Sequence, residues 1–252
     1  MKFAFEASEA GDAQEALAML QSKYDSVPSD EADVIIVLGG DGRMLQALHD
    51  FMNSGKLLYG LNRGTIGFLM NEFSADNLVQ RVERAVSTTV HPLLMEVTQT
   101  DGTRERAFAL NEVSLLRQSY QAAKLKITID DRVRLEELIC DGILLATPQG
   151  STAYNLSAHG PILPINAPLL ALTPISPFRP RRWRGALLPN RAKLTIDVLE
   201  EGKRPVNAVA DHTEFKSVKQ VVAWEDPESR CAILFDPDHS WDERILTEQF
   251  QY

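Results

Sequence analysis

The chain is poor in cysteine: Cys140 and Cys231 are the only two in 252 residues. Two cysteines cannot build a disulfide framework or a cysteine-based zinc site. His and Cys show no metal-ligand spacing, so a protein-held zinc site is not expected. Long apolar runs are also missing. No stretch approaches the roughly 18 apolar residues of a membrane span, so no membrane partner is expected. The opening Met1-Lys2-Phe3-Ala4-Phe5-Glu6 has no basic-then-apolar signal pattern and reads as a strand. A cytoplasmic address is the resulting expectation. Basic residues are outnumbered, 26 Lys+Arg against 35 Asp+Glu, for a formal net charge of −9. That balance argues against nucleic acid as a partner. It leaves room for an anionic ligand held by backbone N–H groups, local arginines or a metal.

A hydrophobic fraction of 44% allows a sizeable core, and the length suits two modest domains or one large one. Residues 1–92 alternate strand and helix signals. Strands are expected at Lys2–Ala7, Asp33–Leu38 and Leu57–Leu61. A helix fits Gly42–Met52, with Met44, Leu45, Leu48, Phe51 and Met52 on one face. A second fits Asp76–Ser87 through Leu78, Val79, Val82, Ala85 and Val86. This is the pattern of an α/β domain with a parallel, Rossmann-like sheet.

After His91-Pro92 the pattern changes. Leu93–Gln99 and Arg106–Leu116 flank a turn carrying Asp101-Gly102, a hairpin signal. Leu125, Ile127 and Ile129 alternate with polar residues, as do Leu194, Ile196 and Val198. Val218–Trp224 and Cys231–Phe235 add two short strands. Residues 93–237 therefore read as an all-β, sandwich-like domain. Residues 161–189 hold seven of the 13 prolines, which predicts a long ordered loop region rather than regular structure. Ser240-Trp241-Asp242-Glu243 matches a helix capping box. A last helix in 238–252 would dock through Trp241, Ile245 and Leu246 back on the first domain.

Three stretches carry candidate chemistry. Gly39-Gly40-Asp41-Gly42 follows the apolar run Asp33–Leu38 and precedes a helix pattern. Glycines let the backbone turn tightly and bring N–H groups close to a ligand. The helix N-terminus adds partial positive charge that suits phosphate. Asp41 would be repelled by phosphate, so its carboxylate makes sense beside a hydroxyl or a metal. A purely structural strand-to-helix turn accounts for the same four residues. In the second stretch, Asp141 and the run Gly150-Ser151-Thr152-Ala153-Tyr154-Asn155-Leu156-Ser157 combine an acid, small hydroxyls and one aromatic. Hydroxyls and N–H groups can read a base edge, and Tyr154 offers a packing face. The competing reading is a Ser/Thr-rich turn capping a helix from Thr152 onward. The third stretch, Leu110-Asn111-Glu112-Val113, is a weak signal by itself.

Read together, the three resemble the NAD kinase family. The match runs from about Asp33 to Asp211. It includes Ala158-His159-Gly160-Pro161-Ile162-Leu163, and Asn62-Arg63-Gly64-Thr65-Ile66-Gly67-Phe68-Leu69 resembles that family's Gly-x-x-Gly-Phe-Leu segment. The resemblance implies phosphoryl transfer from ATP, or from polyphosphate, to the adenosine-ribose 2′-hydroxyl of NAD, with Mg²⁺ accompanying the donor. It implies Asp41 as the catalytic residue that takes or orients the 2′-OH proton. It puts Gly39, Gly40 and Gly42 at the donor phosphates. Asn111, Thr152, Ala153, Tyr154, Asn155, Leu156 and Ser157 would line the NAD site. Asp141 would meet the nicotinamide end, and Glu112 the ribose or a metal-bound water. The resemblance also implies a homo-oligomer, dimer or tetramer.

The Gly-Gly-Asp-Gly motif occurs in lipid kinases too, so a lipid kinase is the rival enzyme. A non-catalytic NAD(P)-binding regulator is the rival of another class. No Gly-x-x-x-x-Gly-Lys-Ser/Thr motif is present, which excludes a P-loop kinase. Departures from the family are Ile139 and Cys140 before Asp141, where an Arg and a small residue are common, Gln149 for a Thr, and His159 for a Gly. Arg179, Arg181, Arg182 and Arg184 are a candidate replacement source of phosphate contacts, or a subunit-contact surface. Donor identity, use of NADH and inhibition by NADP(H) stay open.

Overall fold

A computed structural model describes residues 1–64, 67–237, 245, 246 and 250. The expected capping box Ser240–Glu243 and most of the 238–252 helix lie outside the described residues, as do Thr65 and Ile66. The chain divides into two compact units, Met1–His91 with Glu228–Tyr252, and Pro92–Pro227.

The first unit opens with β1 (Phe3–Ala7), α1 (Gly11–Lys23), β2 (Val34–Gly39), α2 (Asp41–Asp50), β3 (Leu57–Asn62), α3 (Leu78–Arg84) and β4 (Val86–Val90). The second runs through β5 (Leu93–Gln99), β6 (Arg104–Ala109), β7 (Glu112–Arg117), β8 (Ala123–Ile129), β9 (Arg132–Cys140) and β10 (Gly142–Ala146). A 3-10 turn at Gln149–Thr152 and the single-turn α4 (Tyr154–Ser157) follow. Then come β11 (Leu169–Ile175), β12 (Ala186–Pro189), β13 (Leu194–Val198), β14 (Val206–Ala210), β15 (Thr213–Phe215) and β16 (Val218–Glu225). Finally β17 (Cys231–Phe235) returns to the first unit.

The first sheet has the order β1-β2-β3-β17-β4. Its strands are parallel except for the antiparallel β4 edge. Every residue of β2 is buried, as a parallel strand covered on both faces requires. Phe3, Leu20, Ile36, Leu38, Tyr59 and Leu78 form part of one core. Each large side chain so buried contributes roughly 1.5–3 kcal/mol.

Three expectations and one competing reading need correction here. Cys231–Phe235, expected in the β-rich half, instead pairs with β3 and β4. Short apolar strands look alike in sequence, and pairing partners decide the sheet. The helix expected over Asp76–Ser87 stops at Arg84, and β4 begins at Val86. The run Val86-Ser87-Thr88-Thr89-Val90 is rich in β-branched residues that prefer a pleated strand. The stretch 161–189 is not all loop, because it contains β11 and β12, with Pro174 opposite Ile143 in the sheet. The helix weighed from Thr152 onward is only one turn long. Helix α1 was not expected. Its buried face is Ala13, Ala16 and Leu20, so small residues mute the apolar period.

The second unit is a sandwich of two six-stranded antiparallel sheets, ordered β12-β11-β10-β7-β14-β15 and β6-β5-β16-β13-β8-β9. Alternate residues of both meet in one core. Val97, Leu125, Ile196 and Val221 come from one sheet, and Leu115, Ile143, Leu145 and Ala208 from the other. The hairpin through Asp101-Gly102 forms as expected, joining β5 to β6. Arg106–Leu116, however, is not one strand. It breaks at Leu110-Asn111, and β6 and β7 belong to different sheets. The break falls where the Asp211 carboxylate captures the backbone N–H groups of the chain.

Candidate active site

In the first unit, β2 ends at Gly39 and α2 begins at Asp41. Gly39 has φ +153°, a conformation that side chains resist. The α2 N-terminus carries no side-chain cap, and the Arg43 and Met44 N–H groups donate to the Gly40 carbonyl at 3.0 and 3.1 Å. The Asp41 carboxylate accepts two backbone N–H groups: Phe68 donates to Oδ2 and Leu69 to Oδ1, both at 2.9 Å. The Gly67–Leu69 segment is thereby tied to the glycine turn. Arg63 N–H donates to the Gly39 carbonyl at 2.7 Å, and the Asn62 side chain accepts the Gly64 N–H at 2.9 Å. Beside the turn, Asn62, Arg63, Gly67 and Met70 help line a cavity of about 450 Å³.

The second unit gathers most of the remaining candidates. The 3-10 turn at Gln149–Thr152 packs directly on Asn111. A Cβ at Gly150 would fall 2.1 Å from the Asn111 carbonyl oxygen, so only glycine fits. Thr147 Oγ1 and Gln149 Nε2 both donate to the Leu110 carbonyl, at 2.6 and 2.7 Å. Gln149, a departure from the family pattern, thus stitches the turn to the Leu110-Asn111 break. Asn155 is fully buried. Its amide donates to Ser151 O and Pro161 O, and its carbonyl oxygen accepts from Thr173. Its side chain holds the loop from inside, while Tyr154 and Ser157 face solvent. Thr152, Ala153 and Leu156 are half-buried beside them. His159 takes φ +62°, the left-handed region that a glycine adopts freely.

Electrostatics tie Glu112, Tyr154 and Asp141 to one region. Burial, and then the neighbouring Asp211 charge, push the Glu112 carboxyl up to about 7. Its Oε2 is buried with no hydrogen-bond partner among the described residues. Partial burial, helped by the Glu112 and Asp141 charges, raises the Tyr154 phenol. Burial pushes the Cys140 thiol up to about 12, which leaves it inert.

Two residues in this region were not singled out from sequence. Arg117 Nε lies 2.6 Å from Asp141 Oδ1. It sets a cation against Asp141, where Ile139 and Cys140 carry none. Asp211 entered the sequence reading only as the end of the family resemblance, yet its carboxylate accepts the N–H groups of Leu110, Asn111 and Glu112. Neither has a periodicity signal. Both follow from the register of β7 between β10 and β14.

Fold and turn together define a class: an α/β unit with a glycine-rich strand-to-helix turn, plus an antiparallel sandwich. Comparison with known proteins narrows it. Family models for the ATP-NAD kinase N-terminal and C-terminal domains match residues 2–90 and 110–223. The chain is 58% identical to an NAD kinase of Mesorhizobium japonicum over 249 residues, 99% of this chain and 97% of that protein. It is 61% identical to an NAD kinase of Rhizobium meliloti over 247 residues, 98% and 96% of the two. Its fold matches yeast NADH kinase complexed with NADH, with a TM-score of 0.85 at 21% identity, over 100% of this chain and 89% of that one. It also matches an NAD kinase from Archaeoglobus fulgidus in complex with ATP, with a TM-score of 0.76 at 21% identity, over 100% of both chains. The chain belongs to the NAD kinase family.

Proposed function

We propose that this chain phosphorylates NAD to NADP, moving the terminal phosphoryl group of ATP, or of polyphosphate, to the 2′-hydroxyl of the adenosine ribose. The observation that carries this reading is the placement of Asp41. A carboxylate stands at a glycine-rich turn and a bare helix N-terminus, in a chain matched by both domains of one kinase family. The chain matches the Mesorhizobium and Rhizobium NAD kinases over 97% and 96% of their length, which favours this reading over a lipid kinase.

The chemistry is a displacement at phosphorus. The ribose 2′-oxygen bonds to the terminal phosphorus, the bond to the bridging oxygen breaks, and the shortened donor leaves. Such transition states are loose, so positioning and charge stabilisation carry most of the rate. Asp41 orients the hydroxyl and takes its proton. The N–H groups of Phe68 and Leu69 fix the plane of the carboxylate. Gly39, Gly40 and Gly42 keep side chains away from the donor phosphates. Asn111, Thr152, Tyr154 and Ser157 read the adenosine part of NAD, and Asp141 with Arg117 meets the nicotinamide end.

Magnesium is proposed to travel with the donor. Among the described residues, no three His, Cys, Asp or Glu side chains converge as a metal site. That donor set fits an ion held mainly by phosphate oxygens beside one carboxylate, here Asp41. Bound there, the ion would neutralise charge on the phosphates. A reducing cytoplasm suits two buried, unpaired cysteines. A homo-oligomer, dimer or tetramer, is proposed from the exposed loop that carries Arg179–Arg184.

Incubation with NAD, ATP and MgCl₂, followed by assay for NADP, tests the reading. Formation of NADP by the wild type and its loss in Asp41→Asn are expected. No NADP from well-folded wild-type protein with either ATP or polyphosphate would overturn it.

A further inference from the structure

The Leu110-Asn111 break is held from both sides. Its carbonyl side is bound by Thr147 and Gln149. Its N–H side is bound by one carboxylate. Asp211 Oδ2 accepts the Leu110 N–H at 2.7 Å, and Oδ1 accepts those of Asn111 and Glu112 at 3.0 and 3.2 Å. The Asp211 N–H returns the contact, donating to the Glu112 carbonyl at 3.2 Å. Asp211 itself sits at φ +50°, an uncommon conformation for a residue with a side chain. It lies one residue past β14, whose Ala210 faces Val113 of β7. A neutral Asn or Ser could cap such a break. A carboxylate makes stronger, charge-assisted bonds, but it also stands beside Glu112, a second acid whose Oε2 is buried without a partner among the described residues.

We propose that Asp211 is a positioning residue: it sets the backbone of Asn111-Glu112 and so fixes where the Glu112 carboxyl stands at the edge of the NAD site. This inference rests on the NAD kinase reading for the identity of the ligand. Two groups face Glu112 from neighbouring elements: Asp211 from the β14–β15 turn and Tyr154 from α4. Asp211 is the charged one. Its removal should therefore loosen the pair and lower the pH at which Glu112 ionises.

The test compares wild type, Asp211→Asn and Asp211→Glu in NADP formation. Asp211→Asn turns one acceptor oxygen into an NH₂ group that faces backbone N–H. Its KM for NAD should rise about tenfold or more while KM for ATP stays within about twofold. The acid limb of kcat/KM for NAD should move to lower pH, because this limb reports the free enzyme. Asp211→Glu should recover part of the loss. Unchanged KM for NAD, an equal rise in both KM values, or an unmoved acid limb would each overturn the proposal. Hydrogen exchange on the unmodified protein decides the matter if Asp211→Asn does not fold. The amides of Leu110, Asn111 and Glu112 should be protected in the free enzyme, and exchange at open-loop rates would overturn the proposal. A wild type that makes no NADP would defeat the functional reading, and the exchange pattern would still decide whether Asp211 holds the pair.

Discussion

Arg117 and Asp141 form an ion pair, Nε to Oδ1 at 2.6 Å, at the end of the β7–β10 ladder. The register explains it. Leu116 faces Gly142, so the next residue on each strand lies just past the last pair, and the Arg117 N–H donates to the Asp141 carbonyl at 3.0 Å. A cation thus stands against Asp141 although positions 139 and 140 carry none. Arg117→Met should raise KM for NAD about two- to fivefold, the scale of a partly exposed pair. Arg117→Lys should lie between the two, and kcat should move little. Steady-state kinetics with NAD varied at saturating ATP is the check.

Asp41→Asn is the sharpest test of the chemistry. The amide keeps the shape and cannot take a proton. Turnover should fall on the order of 10²–10⁴-fold, the usual reach of a general base, while NAD binding is retained. The same change also places an NH₂ group against the N–H of Phe68 or Leu69, so a modest fall in melting temperature should accompany it. Calorimetry and single-turnover kinetics separate the two effects. Near wild-type turnover would remove Asp41 from the catalytic role.

Glu112 makes stability depend on pH. Burial and the Asp211 charge raise its carboxyl from 4.5 to about 7. The folded chain therefore binds this proton more tightly than the unfolded chain does. Between about pH 4.5 and 7 the folded state holds more protons, so this contribution to stability is full below 4.5 and is lost as pH rises through 7. Glu112→Gln removes that slope. The variant should be more stable than wild type at pH 8 by on the order of 1–3 kcal/mol and similar to it at pH 4. Its activity should fall. Urea unfolding at the two pH values measures the difference.

The sequence showed the units more clearly than their edges. The apolar run Val34–Leu38 and the amphipathic helix after it were legible because their periods are strong. Helix α1 was hidden because Ala13 and Ala16, small residues, face the core. The place of Cys231–Phe235 was hidden for another reason, since five apolar residues do not say which sheet will take them. The site shows the same division. Asp41, Tyr154 and Ser157 stand in local motifs that can be read along the chain. Arg117 and Asp211 do not, because each acts across a ladder on a residue 24 or about 100 positions away. Asn155 is the converse case: it stands in the motif, but its amide is spent on the loop's own backbone.

The loop between β11 and β12 leads to the last prediction. Phe178 in the loop and Leu187 in β12 are each about half exposed, at 52% and 51%. Arg179 and Arg181 lie over the Phe178 ring, at 6.0 and 5.0 Å. The loop is anchored rather than loose: Phe178 and Arg179 both donate to the Ile139 carbonyl, and Ile139 N–H donates to Arg179 O at 2.8 Å. Trp183 packs against the sandwich core. An anchored loop that presents an aromatic ring and arginines suits an acidic face of a second copy, because the chain as a whole carries −9. Replacing Arg181, Arg182 and Arg184 together by Ser should lower both oligomer mass and activity. Phe178→Ser should act in the same direction, since it removes the apolar part of the contact and no charge. Light scattering and sedimentation on the wild type give the direct measurement. A fully active wild-type monomer at nanomolar concentration would return these arginines to solvent, or to phosphate contacts within one chain.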